Sequence, residues 1–148
     1  MADVVFFDAF KAAPFNGVHD LSTATVKVAL SNTAPTVATD DALADITQIA
    51  NGGGYTGGAG GGYALSSVTS TQTSGVYTLG ASDLTITATG AAIATWRYAV
   101  IYDDSATTPA DALIGYLDNG SAVDLSDGES ITIDWVPADT VFTMQDAA

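Results

Sequence analysis

The chain contains a single histidine, His19, and an acid, Asp20, follows it directly. A serine or threonine nucleophile needs a histidine as base and an acid that orients the imidazole. Residues adjacent in a chain do not form such a triad, and no nucleophile-elbow pattern is present. We therefore expect His19 to be a capping or surface residue, and we expect no enzymatic activity.

Carboxylates are abundant, since the chain has sixteen aspartates and one glutamate. A glycosidase needs two carboxylates that flank a sugar, but so many aspartates produce such pairs by chance. A polysaccharide hydrolase is therefore the least favoured alternative.

The pair Asp103-Asp104 predicts a tight turn at the end of a strand. A calcium site is the alternative there, because hard cations prefer clustered oxygens, yet the spaced Asp-x-Asp-x-Asp-Gly loop is missing. We expect no metal and no cofactor.

Residues 51–62 read NGGGYTGGAGGG. A phosphate-binding P-loop requires Gly-Lys-Ser/Thr at the start of a helix, and no lysine follows these glycines. The composition instead indicates a flexible or tightly turning loop around Tyr55, in which positive φ angles are needed repeatedly.

Three aromatic residues, Trp96, Tyr98 and Tyr102, alternate along one predicted strand and should share one face of a sheet. Together with Trp135 they form either part of a core or interface, which we favour, or a carbohydrate platform. Arg97 points to the opposite face. We expect a structural ion pair with an aspartate there, with an interface contact as the alternative.

The composition limits the possible partners. With 148 residues the chain fits one domain, 1–148. Its formal net charge is −14, and its three cations are Lys11, Lys27 and Arg97. Nucleic-acid binding requires a basic footprint that these three cannot supply. No apolar run approaches a membrane span, and the N-terminus has acid where a signal peptide has base. We expect a protein made in the cytoplasm and kept intact, with no nucleic-acid or membrane partner.

In the N-terminal segment 1–20, the apolar residues at positions 5, 6, 9, 10 and 13 follow a helical spacing. This spacing predicts a short amphipathic helix within 4–13 that ends before Pro14. An arm that docks on a partner is the alternative, and both interpretations bury Phe6 and Phe10. A further turn of helix is predicted within 40–49, with Asp40 as N-cap.

The remaining chain predicts an all-β fold. Short segments rich in Thr, Val, Ile and aromatic residues alternate with turn signals, of which Asp118-Asn119-Gly120 is the strongest and predicts a hairpin. The spacing of about 8–12 residues indicates seven or eight short strands in a sandwich, a jelly roll or a barrel. The predicted strands are 25–30, 63–68, 75–79, 84–89, 96–102, 112–117, 130–136 and 141–144.

Several segments resemble a group of small virion proteins of tailed bacteriophages. The resemblance covers nearly the full chain in order, apart from an expanded glycine run at 58–62. It is specific for a virion protein and less specific for its position in the particle. The segments that carry it are ADVVFFDAFK (2–11), GVHDL (17–21), VKVALSNTAP (26–35), ADITQIA (44–50), GYTGG (54–58), RYAVIYDD (97–104), ALIGY (112–116) and DGESITI (127–133).

The resemblance implies a capsid cement or decoration protein located on the virion. Because such proteins often have jelly-roll or related folds, it also implies a jelly-roll-like sandwich of about eight antiparallel strands. Its partners would be the major capsid protein and further copies of itself, with a trimer favoured over a dimer. The family brings no catalytic residues. The alternative is a head-fibre or tail adsorption module that binds host glycan through the tryptophan face. The predicted interface residues are Phe6, Phe10, Phe15, Tyr55 and Arg97.

Overall fold

The computed structural model describes residues 3–146, so the first two and last two residues of the predicted domain lie outside it. Within this range the chain forms ten strands, and every strand pairing is antiparallel. The prediction of an all-β antiparallel fold is confirmed. The strands are β1 Val5–Phe6, β2 Val26–Ser31, β3 Tyr63–Ala64, β4 Thr69–Thr73, β5 Val76–Gly80, β6 Leu84–Thr87, β7 Ile93–Thr107, β8 Ala110–Leu125, β9 Ser130–Ile133 and β10 Thr140–Met144.

The strands form three sheets. The large sheet has the order β1-β8-β7-β2-β3, the three-stranded sheet has the order β10-β5-β4, and the third sheet pairs β6 with β9. One hydrophobic core takes side chains from all three, for example Val28, Leu79 and Ile133, each fully buried. The large sheet therefore packs one face against the two smaller sheets, as in a β-sandwich.

The opposite face of the large sheet is also covered. Ala29 and Val100, next to residues of the main core in sequence, belong to a second buried cluster with Phe7 and Leu43. Leu43 lies in a short 3-10 turn, Leu43–Asp45. Because both faces are buried, three successive residues of β2, Val28, Ala29 and Leu30, are apolar.

The predicted helix within 4–13 is wrong. Val5 and Phe6 pair with Tyr116 and Gly115 of β8, and only a 3-10 turn, Ala9–Lys11, follows. Of the apolar residues at positions 5, 6, 9, 10 and 13, only Phe10 is fully buried, and Val5 in the edge strand is 41% exposed. Gly115 permits the approach of β1, since a Cβ there would lie 2.8 Å from the carbonyl oxygen of Val5.

The predicted turn of helix within 40–49 is present as the 3-10 turn, but its predicted cap is wrong. Asp40 accepts a hydrogen bond from the amide of Thr36 at 2.7 Å. The carboxylate that binds the amides at the start of this turn belongs to Asp45, which lies 3.2 Å from the nitrogen of Ala42.

Two predicted turns lie inside long strands. Asp103 and Asp104 belong to β7, and the chain reverses only between Thr107 and Ala110. At the Asn-Gly signal, β8 continues as a bulge: Tyr98 faces residue 118 while Trp96 faces residue 123. The local turn forms here as extra residues within a strand, so the hairpin predicted at 118–120 is wrong.

Candidate functional site

An open groove on the surface has a volume of about 580 Å³. It lies between the N-terminal segment and the three-stranded sheet, which contributes β4, β5 and the end of β10. Most of its exposed surface is apolar. This groove is the candidate functional site. Its main apolar lining residues are Phe10, Pro14, Phe15, Leu21, Tyr77 and Met144.

Phe15 is the most exposed large apolar side chain among residues 3–146, at 81%. It sits on a closed turn, because the amide of Val18 donates to the carbonyl of Ala13 at 3.0 Å. Gly17 adopts φ +75° in the same turn, a conformation that favours glycine. The backbone therefore holds Phe15 at the surface beside the groove, where a partner can reach it.

Phe10 forms the base of the groove, and its ring is part of an aromatic cluster in the core. The Phe6 and Phe10 rings stack with centroids 5.4 Å apart, and Phe142 packs edge-on against Phe6 at 5.0 Å. Phe10 is only 1% exposed and Phe6 is partly buried. The prediction of burial is confirmed for Phe10, whereas Phe6 is only partly buried. Of the three predicted interface phenylalanines, Phe15 is the one that is highly exposed.

A buried histidine–carboxylate pair also lies at the groove. His19 Nδ1 is 2.9 Å from Asp103 Oδ2, and the two side chains are 0% and 2% exposed. The other carboxylate oxygen of Asp103 accepts the amide of Ser105 at 2.9 Å. Placing His19 in a cap or on the surface is therefore wrong. These residues are 84 positions apart, and no local sequence signal indicates their pairing.

The chemistry of this pair is incomplete for nucleophilic catalysis. Within residues 3–146, His19 Nε2 is buried and has no hydrogen-bond partner. A triad requires a hydroxyl or thiol nucleophile at that nitrogen. The pair instead links the N-terminal segment to the middle of β7, which holds one wall of the groove against the large sheet.

Tyr55, a predicted interface residue, lies inside the molecule at 2% exposure. Its hydroxyl accepts the amide of Leu30 at 3.1 Å and donates to Gln48 Oε1 at 2.9 Å. Burial raises the pKa of Tyr55. The ring thus anchors the glycine-rich segment 51–62 to β2, and it does not line the groove.

Arg97 pairs with an aspartate, as predicted. Its Nε and Nη2 donate to the two carboxylate oxygens of Asp118 at 2.7 and 2.8 Å. The hydrogen bonds from Arg97 hold the pKa of Asp118 below its usual range. The guanidinium also lies 5.3 Å from the centre of the Tyr98 ring. Like Tyr55, Arg97 is outside the groove.

The tryptophans are core residues. Trp96 is 0% and Trp135 2% exposed, and Trp135 Nε1 donates to the carbonyl of Ser82 at 3.1 Å. The predicted common face is wrong, because a register shift follows Trp96 in β7. Trp96 belongs to the main core and Tyr102 to the cluster on the opposite face. These tryptophans therefore do not form a carbohydrate platform.

Within residues 3–146 no cluster of three or more metal-ligating side chains occurs, and no helix in that range is long and apolar enough to cross a membrane. No family model matches the chain, and comparisons with curated proteins and with solved structures find no match. The case for the groove therefore rests on its own geometry.

Proposed function

We propose that this protein is a capsid cement protein of a tailed bacteriophage. It binds the outer surface of the capsid shell and stabilises contacts between capsomers, with the major capsid protein as its partner. The observation that carries the proposal is the position of Phe15, 81% exposed beside an apolar groove of about 580 Å³. An aromatic side chain next to an open apolar surface is typical of an interaction site.

The charge of the molecule supports the same role. All three lysine and arginine side chains lie in ion pairs with aspartates: Lys11 with Asp8, Lys27 with Asp104, and Arg97 with Asp118. The three cations are therefore paired within the fold, and the remaining charged side chains are acidic. A net charge of −14 keeps free copies apart and in solution before they assemble.

Many copies on a shell do not need individually tight contacts. An interface of ordinary size buries about 1,600 Å², and repeated attachment across neighbouring capsomers adds avidity. In this arrangement Phe15 is the anchor that enters a pocket of the shell, and the acidic surface around it faces basic groups of the capsid protein.

The proposal is tested by adding the purified protein to shells of the phage that encodes it, prepared without this protein. Co-sedimentation measures occupancy, and heating measures the temperature at which the shells open. We expect binding and a higher opening temperature. Loss of an anchoring aromatic costs about 2 kcal/mol or more, so Phe15→Ala should weaken binding about 30-fold.

Val136→Ala is the matched control, since Val136 is 65% exposed but lies outside the groove. It should bind as the unchanged protein does. Shells that do not bind the protein, or that open at the same temperature with and without it, contradict the proposal. Equal weakening by both variants contradicts the role of Phe15.

A further inference from the structure

The outer edge of β4 is an open strand edge. β4, Thr69–Thr73, is the last strand of the three-stranded sheet and pairs only with β5. The two strands are joined by a two-residue turn, Ser74-Gly75, in which both residues have positive φ. Such a turn produces a tight hairpin whose register is fixed. The other side of β4 has no neighbouring strand among residues 3–146.

The register shows which backbone groups face outward. Thr73 is opposite Val76 at the turn, so this pair exchanges both hydrogen bonds, and the pattern then alternates along the strand. Thr69, Thr71 and Thr73 direct their amides and carbonyls to β5. Ser70 and Gln72 therefore direct theirs to the open edge, which presents two donors and two acceptors.

This edge is electrically neutral in a strongly acidic chain. No charged residue occurs in the 37 residues 46–82, which include β3, β4 and β5. All seventeen acids are elsewhere. Two copies that approach through most other surfaces bring like charges together. At β4 the strand itself contributes no charged side chain to the contact, and the acids nearby are Asp20 and Asp146, which line the adjoining groove.

Other strand edges are protected in the ways that normally prevent association. At the margins of the large sheet, β1 and β3 have two residues each. On the far side of the three-stranded sheet, β10 has a register irregularity. The third sheet is flanked by the acids Asp83, Glu129 and Asp134. β4 has five residues in regular register and no lysine, proline or bulge.

We propose that β4 is a self-association edge, at which two copies of this chain pair antiparallel about a twofold axis that passes through Thr71. Ser70 of one copy then faces Gln72 of the other, and the reverse pair forms at the same time. Every outward backbone group gains a partner, for four hydrogen bonds in all. The two three-stranded sheets become one six-stranded sheet.

The symmetry of this contact selects the oligomer. An edge that pairs with itself is isologous, so it closes as a dimer and does not generate a threefold ring. The side chains of Ser70 and Gln72 line the groove, so the grooves of both copies lie on the same face of the joined sheet. The dimer does not depend on the proposed cement function, and it presents two Phe15 side chains to one surface.

Sedimentation velocity of the purified protein tests the proposal without any shell. The contact is smaller than a standard interface of about 1,600 Å², so we expect a monomer–dimer equilibrium with a dissociation constant of about 1–100 µM. Added salt should strengthen the dimer, because it screens repulsion between the acidic copies and leaves the neutral strand contact intact. A monomer at about 1 mM protein in 0.15 M salt overturns the proposal.

Charge substitutions at Thr71 identify the edge. Thr71 is exposed and meets its own copy across the axis, with Cβ atoms about 5 Å apart in such pairs. Thr71→Glu alone and Thr71→Lys alone should each weaken the dimer at least about tenfold, because like charges lie opposite each other. An equal mixture of the two variants should restore it, which also shows that both are folded.

Thr143→Glu is the matched control, since Thr143 is exposed on β10 at the far margin of the same sheet. It should leave the dissociation constant within about twofold of the unchanged protein, as expected for a surface substitution away from the contact. Failure of the mixture to dimerise overturns pairing at Thr71, as does an equal effect of Thr143→Glu. A dimer unaffected by either Thr71 variant places the interface elsewhere and overturns the proposal.

Discussion

Two neighbouring uncharged segments of this chain differ in whether their backbone groups find hydrogen-bond partners within the fold. The glycine-rich segment 51–62 and β4, Thr69–Thr73, both consist mainly of small or polar residues. In the first segment the amide of Gly62 donates to Thr56 at 2.8 Å, and the carbonyl of Gly60 accepts from Lys27 Nζ at 2.8 Å. In β4, the outward groups have no strand beside them among residues 3–146.

The difference is one of backbone partners rather than composition. Buried amides and carbonyls must find hydrogen bonds within the chain, and the glycine-rich segment finds them on β2, β7 and β8 through Lys27, Tyr102 and Asp111. β4 has its hydrogen bonds on one side only. A polar segment whose backbone groups all find partners within the chain supports the fold. One whose groups are bonded on one side only can still pair with a partner.

The largest effect should come from filling space in the closed segment. A Cβ at Gly62 would lie 2.2 Å from the carbonyl oxygen of Val28, and Gly62 has φ +90°. Neither β2 nor the backbone of the segment can move far, because both are bonded to the large sheet. Gly62→Ala should therefore reduce the free energy of unfolding by about 4 kcal/mol or more, measured by urea denaturation.

Gly58→Ala is the control for that change. Gly58 has φ +94° but no atom within 4 Å of the added Cβ. Gly58→Ala should reduce the free energy of unfolding only by the cost of a left-handed backbone at alanine, about 1–2 kcal/mol. Equal losses for the two variants would show that backbone strain alone, and not close packing on β2, governs this segment.

A smaller change in stability is expected from substitutions of two tyrosines whose hydroxyls are buried beside the same segment. The Tyr102 hydroxyl donates to the carbonyl of Gly61, whereas the buried Tyr63 hydroxyl has no hydrogen-bond partner within residues 3–146. Tyr102→Phe should cost about 1–3 kcal/mol, because it leaves a buried carbonyl unpaired. Tyr63→Phe should be neutral or stabilising by less than about 1 kcal/mol. The reverse order in urea denaturation would contradict these bonding assignments.

The buried Tyr102 also predicts that the stability of the protein depends on pH. Burial, with the nearby charges of Asp104 and Asp111, raises the pKa of Tyr102 above its usual value of 10.0. A folded-state pKa that is raised gives stability below the unfolded-state pKa, and that stability is lost as the pH rises through the folded-state value. The difference in the free energy of unfolding between the unchanged protein and Tyr102→Phe should therefore shrink above about pH 10. A constant difference would mean that Tyr102 ionises as freely as in the unfolded chain.

The sequence predicts the class of the fold and the approximate positions of eight of the ten described strands, because β-propensity and turn signals are local. It misses β1 and β4. It does not predict bonds made over long distances. Local sequence places His19 on the surface, because its buried partner Asp103 lies 84 positions away. It also places Asp103-Asp104 in a turn, because their side-chain partners, His19 and Lys27, are distant in sequence. In the candidate site, the sequence predicts Phe15 as an interface residue, which stays a prediction, and it does not predict the groove. Tyr77 and Met144 join it only through the pairing of β5 with β10.

The smallest effect concerns hydrogen exchange along β4, and it separates the open edge from the closed segment directly. In dilute protein, where monomers dominate, the amides of Ser70 and Gln72 should exchange at least about tenfold faster than those of Thr71 and Thr73, because only the latter face β5. The amide of Gly62, bonded to Thr56, should be protected at every concentration. Raising the protein concentration should slow exchange at residues 70 and 72 alone. Uniform protection across β4 in the monomer would show that the chain already covers this edge, and the contrast between the two segments would disappear.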